Sequence, residues 1–500
     1  MVTVRMMAAA ATLLWAGGAW AEQVRLTFLH VNDIYEYKAV NGKGGLAELL
    51  TRLEDMRERI PNTAFTFGGD LLSPALASNI TKGAHMVEFF NTLAPVAAVP
   101  GNHEFDFGAA NFAARIAESR FPWIGTNVLG ADGKPFGGMV PSVLAEIGGV
   151  KVGFLGILTG QTSRLAPAEG VAFTNEAAAA RAMAAELRNQ GAEVVVALTH
   201  QDIADDRRLA QDIRGIDLIL GGHDHDPLSI KEDGALVVKA GHDAHWLAEV
   251  EMLVDRPDSG KTGPVKVSPL GWRFVQVAGA LPSPKLAPLV ARVDGLLGEA
   301  LEVPLTTLAT AMDSRTGAVR GAESAIGNLF ADALRAHFKA DVALINGGGL
   351  RGNREYSPGT KLTRRHILAE MPFGNAVMAL DITGKQLLAV LEHGLSAVEA
   401  KAGRFPQVSG LTIAYDSAKP AGGRIVAAGV AGKPLEPERV YRLATTDYLG
   451  GGGDDYGALK AATVVVDASG GPLLANVVAD YLSTHPTVFP QVEGRVAAVR

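Results

Sequence analysis

From about residue 24 to residue 274, short apolar runs alternate with stretches of helical spacing. The runs at 24–30, 64–67, 96–99, 152–158, 194–198 and 216–220 are apolar at nearly every position, the pattern of strands covered on both faces. Between them, 45–60 and 175–190 repeat leucine and alanine at three- and four-residue intervals and predict helices. Such alternation predicts a layered α/β domain. At 255–264 the pattern breaks into Arg-Pro-Asp-Ser-Gly-Lys-Thr-Gly-Pro, a surface turn between two strands.

The next interruption is larger. Pro282 and Pro284 precede a helically spaced segment at 286–301, which predicts a connecting helix within a linker at 278–304. Beyond it a second α/β region is expected at 305–500, with helices near 323–339 and 385–398, a strand at 342–345 and a glycine-rich loop at 450–453. No internal repeat or low-complexity tract interrupts the chain.

Composition narrows the function classes. The chain has 500 residues, 48% of them hydrophobic, and no cysteine, so disulfides, thiolate ligands and a cysteine nucleophile are excluded. Residues 1–21 combine Arg5, an apolar stretch and Ala19-Trp20-Ala21 ahead of Glu22, which predicts a cleaved secretory leader and a periplasmic or secreted product. No later segment is apolar for long enough to span a bilayer. A formal net charge of −7 offers no electrostatic footprint for a nucleic-acid polymer, while leaving small phosphorylated substrates open.

The polar residues at the ends of the apolar runs carry the chemistry. Asp33, Asp70, Asn102, His200, His223 and His225 fall mostly just past the C-terminal ends of predicted strands, where α/β sheets place their sites. Carboxylate, amide oxygen and imidazole together suit zinc, manganese, iron or cobalt, and a set this large can hold two ions. Two cations would offset the negative charge of a phosphate ester and generate hydroxide from water. In His223-x-His225, alternate residues of an extended segment can turn both rings to one side.

These segments carry a family resemblance over nearly the whole chain beyond the leader. His30-Val31-Asn32-Asp33, Gly68-Gly69-Asp70, Gly101-Asn102-His103-Glu104-Phe105-Asp106, Leu198-Thr199-His200, Gly221-Gly222-His223-Asp224-His225, Asn346-Gly347-Gly348-Gly349-Leu350-Arg351, Pro372-Phe373-Gly374-Asn375 and 448–456 occur in the order of the secreted 5′-nucleotidases and UDP-sugar hydrolases of the metallophosphoesterase superfamily, which the chain resembles. The resemblance implies an α/β/β/α metallophosphoesterase domain at 22–277 and a nucleotide-binding α/β domain at 305–500. It implies that Asp70 bridges two metals, that Asp33 and His225 hold the first, and that Asn102, His200 and His223 hold the second. His103, oriented by Asp106, would serve the reaction, and Glu104 would be a solvated or structural neighbour. Phe373 and Tyr448 would sandwich a base, Asp454 would take the ribose, and Asn346 and Arg351 would meet base or phosphate.

Two positions depart from the family pattern. Tyr35 stands where many members carry a histidine ligand; it is either a phenolate ligand favouring trivalent iron or, as we prefer for a phenol with a pKa of about 10, a neighbour of a metal completed by water. Ala322 stands where an arginine often precedes Glu323, so one phosphate-gripping cation is missing or displaced to Arg320. The implied activity is phosphate release from nucleoside 5′-monophosphates, with di- or triphosphates and nucleotide sugars as the wider range open to it. The alternatives are a 2′,3′-cyclic-nucleotide phosphodiesterase on the same scaffold and a non-catalytic nucleotide-binding protein. His242 and His245 are expected at the surface or in support of the site, and oligomeric state is not legible.

Overall fold

A computed structural model describes residues 23–232, 234–257 and 263–499. The expected leader lies outside the described residues, as does the middle of the turn at 255–264. No described helix is long and apolar enough to cross a membrane.

Two sheets face each other in the first domain. One has the order Lys266–Gln276, Trp246–Asp255, Gln23–Val31, Thr63–Phe67, Ala97–Ala98; the other runs Pro227–Lys231, Leu236–Ala240, Leu218–Gly222, Val194–His200, Val150–Leu158, Ser142–Ile147. The inner strands of the second sheet are parallel, while its two edge strands are antiparallel to their neighbours. Strand periodicity sorts the side chains. Along Val194–His200, Val194, Val196 and Leu198 pack between the sheets, whereas Val195 and Ala197 face the helices Glu176–Asn189 and Ile203–Asp212. Along Gln23–Val31, Leu26 and Phe28 enter the same inter-sheet layer, and Leu29 and Val31 face the helix Leu46–Arg59. The result is the four-layered α/β/β/α arrangement. It buries most of both sheets and brings the C-terminal ends of Gln23–Val31, Thr63–Phe67, Val194–His200 and Leu218–Gly222 to one edge.

The helix Ala287–Leu301 follows, as expected for the connecting segment, but it is not free-standing. Val293 is fully buried in the first domain's outer core beside Leu286, and Asp294 accepts from the Tyr37 hydroxyl at 2.6 Å and from Lys38 Nζ at 2.9 Å. The second domain is built on a mixed sheet, Pro406–Ser409, Val342–Asn346, Val440–Thr446, Val377–Thr383, Thr463–Val466. The helix Ala325–Phe338, capped by the Ser324 side chain, covers one face, and Gly384–Gly394 covers the other. A four-stranded sheet, Lys433–Pro434, Ile425–Val430, Leu411–Tyr415, Val496–Ala498, extends this domain.

Candidate active site

Three of the expected ligands sit in backbone that their residue types rarely adopt. Asp33, Asp70 and His223 have φ values of 53°, 62° and 77°, each just past a strand end. Left-handed backbone at a non-glycine residue is costly and persists where the surroundings over-determine it. The surroundings here are mutual. Asp33 N donates to Gly69 O at 2.9 Å, Ile34 N donates to Asp70 O at 2.9 Å, and His223 N donates to Asp33 Oδ2 at 2.9 Å.

Several of these side chains converge. Asp33, Asp70 and His200 are fully buried and place one donor atom each within 4.8 Å of one another. His200 Nε2 lies 3.2 Å from Asp70 Oδ2, and His225 Nε2 lies 3.4 Å from Asp33 Oδ1. The rings of His200 and His223 are 5.1 Å apart. The His200 ring is aimed by Nδ1, which donates to Gly68 O at 2.8 Å, leaving Nε2 toward the carboxylates.

The residues fit metal ions on two observations. Both polar side-chain atoms of Asn102 and His223 Nδ1 are buried without a hydrogen-bond partner among the described residues, although buried polar groups are rarely left so. The electrostatics also demand positive charge. Burial alone would raise the Asp33 carboxyl, but His200, His225 and Asn32 hold it well below the usual carboxylate range. Burial works against protonated His200, yet Asp70 and Asp33 push it up to about 9. A cation bound among these carboxylates would meet the same demand.

Tyr35 stands inside this set rather than beside it. Its hydroxyl is 3.1 Å from Asp33 Oδ1, 3.2 Å from Asp70 Oδ2 and 2.9 Å from His225 Nε2. Burial and the two carboxylates raise its ionisation well above the ordinary phenol value. Next to the cluster, His103 Nδ1 donates to Asp106 Oδ2 at 2.7 Å and Nε2 donates to Ser469 O at 2.5 Å, a carbonyl of the second domain. Burial opposes the charged ring, but Asp106 and Asp70 raise His103 to about 10.

Glu104 corrects one alternative drawn from the sequence, since it is fully buried and not solvated. Its carboxylate accepts from Asp70 N at 3.0 Å, Leu71 N at 2.6 Å, Leu72 N at 3.2 Å and Gly101 N, so it ties the two loops that carry Asp70 and Asn102. Asn32 and Lys239 do similar work and were not singled out from sequence. Asn32 Nδ2 donates to Asp33 Oδ2 at 2.6 Å while its Oδ1 accepts from Ala240 N at 2.7 Å. The buried Lys239 ammonium donates to Gln201 O at 2.6 Å and Gly222 O at 2.8 Å and pairs with Asp206 and Asp224. A polar residue flanking a ligand, and a lysine inside an apolar strand, were the available signals. His30 lies between the sheets with Nδ1 2.9 Å from Thr66 Oγ1 and Nε2 3.1 Å from Gly221 O.

In the second domain all five expected substrate residues line one cavity of about 390 Å³, together with Arg320. Phe373 and Tyr448 are 57% and 45% exposed, which sets aside a core role for both rings. The Arg351 guanidinium carbon stands 5.2 Å from the Phe373 ring centre. Asp454 accepts from Asn346 Nδ2 at 2.7 Å and from the Tyr448 hydroxyl at 3.0 Å. Arg320 lines the same cavity, and its Nε is buried without a hydrogen-bond partner among the described residues. A second cavity of about 530 Å³ joins Tyr35, His103 and His225 of the first domain to Phe373, Gly374 and Asp447 of the second.

Comparison with known proteins assigns the two halves. Residues 26–227 match the calcineurin-like phosphoesterase family and residues 304–461 match the 5′-nucleotidase C-terminal domain. The chain is 27% identical to the snake venom 5′-nucleotidase of Gloydius brevicauda, over 97% of this chain and 92% of that one, and 25% identical to the human 5′-nucleotidase, over 98% and 93%. Among solved structures, a 5′-nucleotidase precursor from Thermus thermophilus is 28% identical, with 95% of this chain and all of that one covered and a TM-score of 0.56. The NAD nucleotidase of Haemophilus influenzae shares the fold at 19% identity and a TM-score of 0.81, covering 96% of this chain and all of that one.

Proposed function

Since the chain belongs to the calcineurin-like phosphoesterases that carry a 5′-nucleotidase C-terminal domain, we propose that it is a dinuclear-metal hydrolase releasing phosphate from nucleoside 5′-monophosphates, in the periplasm or outside the cell. One observation carries the reading: the cavity holding Asn346, Arg351, Tyr448 and Asp454 and the cavity reaching Tyr35, His103 and His225 have Phe373 in common. A nucleoside seated in the first would direct its 5′ substituent along the second.

In this reading Asp33 and His225 would hold one ion, Asn102, His200 and His223 would hold the other, and Asp70 would serve both. Bound there, divalent cations such as zinc, manganese, iron or cobalt would neutralise phosphate oxygens and supply a hydroxide nucleophile. The chain's own groups do the rest. Asp106 fixes the His103 ring through Nδ1, so that Nε2 presents a proton to a phosphoryl or leaving oxygen once Ser469 O is displaced. Phe373 and Tyr448 stack on the base, which tolerates several bases, and Asp454 takes ribose hydroxyls in place of its present donors. Arg351 and Arg320 offer guanidinium to base or phosphate.

The domains are proposed to rotate about the connecting segment at 278–304. The Ser469 contact on His103 must open for a phosphate to enter, and a higher TM-score with a more distant sequence is the pattern expected when two rigid domains are set at different angles in different structures. The test is phosphate release from mono-, di-, tri-, cyclic and sugar nucleotides with each candidate metal, with Asp70→Asn as control. Greatest turnover on a 5′-monophosphate, lost in the control, is expected. Release that persists in Asp70→Asn, or none under any metal, would sink the proposal.

A further inference from the structure

Beyond the cluster around Asp70, the wall of the cleft carries a second group of donors. After the strand Leu236–Ala240 the chain turns through Gly241, His242, Asp243 and Ala244 before the strand Trp246–Asp255. Gly241, Asp243 and Ala244 have φ values of 87°, 49° and 50°. Two consecutive non-glycine residues in left-handed backbone cost of order 1 kcal/mol each or more and mark a conformation held for a purpose or by its surroundings. The turn closes with His245 N donating to His242 O at 3.0 Å and brings the two imidazoles together, with ring centres 4.7 Å apart and planes tilted at 56°.

We propose that His242, Asp243 and His245 form a separate mononuclear site for a first-row transition-metal ion, distinct from the pair of ions assigned around Asp70. One donor atom from each residue lies within 4.8 Å of the others. The tautomer of His242 is set by its neighbour. Its Nδ1 stands 3.0 Å from the carbonyl of His225, which can only accept, so Nδ1 carries the proton and the neutral ring keeps its lone pair on Nε2. This is how a ligating histidine is usually oriented. Asp243 is half engaged: Oδ1 accepts from Tyr35 N at 2.9 Å and Glu36 N at 3.0 Å, and Oδ2 takes no hydrogen bond among the described residues. The ring of His245 makes none either among those residues.

Two imidazoles and a carboxylate are the donor set of open zinc, cobalt, nickel and iron sites, with coordination positions left for water or ligand. The setting favours a cation. Glu36, Asp243 and Asp447 line the same cavity, and Lys43, exposed at its rim, is the one lysine or arginine among the lining residues. The site is also mechanically connected. Asp243 holds the backbone of Tyr35 and Glu36, and its own N–H donates to Asp33 O at 2.8 Å, so an ion on Asp243 would stiffen the loop that carries Asp33 and Tyr35.

Metal counting decides the matter without reference to turnover. The full chain is stripped with chelator, dialysed against zinc or cobalt, and its bound ions counted by mass spectrometry; cobalt absorption reports imidazole ligation independently. Three ions per chain are expected for the parent, two for His242→Ala/His245→Ala and one for Asp70→Asn/His200→Ala. The first variant should keep phosphate release within about threefold of the parent. His242→Gln/His245→Gln, which retains polar volume, serves if the alanine pair melts at a lower temperature. An ion count unchanged by either pair of substitutions at 242 and 245 overturns the site, whereas loss of ions in Asp70→Asn/His200→Ala tests only the dinuclear assignment.

Discussion

Tyr35 puts a hydroxyl within 3.2 Å of three groups assigned to the first ion, in the place where the family resemblance led us to expect a histidine. A neutral phenol is a poor ligand, and its hydrogen bonds to Asp33 and Asp70 must be broken for an ion to enter. Tyr35→His is therefore expected to slow loss of the first ion to a chelator by about tenfold, on the scale seen when a metal's immediate supports are altered. Equal retention in the parent and the variant would show that the phenol does not weaken the site. Glu104 acts one step further out. Glu104→Gln replaces half of a carboxylate that accepts four backbone N–H groups with an amide that cannot accept there, leaving buried donors unpaired at a cost of about 1–3 kcal/mol. Lower thermal stability together with reduced ion content is expected; a variant matching the parent in both would count against this role. Nothing local in the sequence marks Glu104 for that work, because the donors it collects come from residue 101 and from residues 70–72, brought near only by the fold.

At the level of elements, the strands that carry ligands were legible because both of their faces are buried and their apolar runs are continuous. The edge strands Ser142–Ile147 and Pro227–Lys231 were not individually legible, and the hairpin Trp246–Asp255 with Lys266–Gln276 was legible only as two strands flanking the turn at 255–264. Each carries polar or half-exposed positions, and pairing between distant segments supplies what the local pattern lacks. The glycines next to ligands were legible as turns but not as contacts. A Cβ on Gly101 would lie 2.0 Å from Asp70 Oδ1 and 2.7 Å from His200 Cε1, whereas one on Gly108 meets nothing within 4 Å. Gly101→Ala should thus abolish detectable phosphate release by displacing the bridging carboxylate. Gly108→Ala, strained only by its φ of 86°, should cost about 1 kcal/mol of stability and leave activity within twofold. Similar activity in the two variants would refute the close packing at Gly101.

Across the whole molecule, the sequence set the expected donor set and the expected aromatic clamp on different domains, but the contacts between those domains were not legible in it. The segment after Thr463–Val466 reaches over from the second domain: Asp467 comes near His223 and Asp202, Ser469 O accepts from His103 Nε2, and Asn476 Nδ2 donates to Pro74 O at 2.6 Å. No sequence pattern announces contacts between residues more than 240 positions apart. If the domains must part in each turnover, a bond across this seam will stop the cycle. An ideal Cβ on Gly470 stands 3.0 Å from Leu165 Cδ2, and the chain has no cysteine of its own, so Leu165→Cys/Gly470→Cys can be oxidised without competing thiols. Activity should fall at least tenfold on oxidation and return on reduction; full activity in the oxidised form would remove the need for rotation.

The division of labour across that seam has a consequence for how such a protein can change. Every group assigned to breaking the ester belongs to the first domain, and every group assigned to choosing the nucleoside belongs to the second. Selection on substrate preference can therefore act on Phe373, Tyr448, Arg351 and Arg320 without disturbing the ions or the proton on His103. A lineage could acquire a new diet of phosphate esters by editing one domain alone, or by exchanging it, and inherit the hydrolytic centre intact.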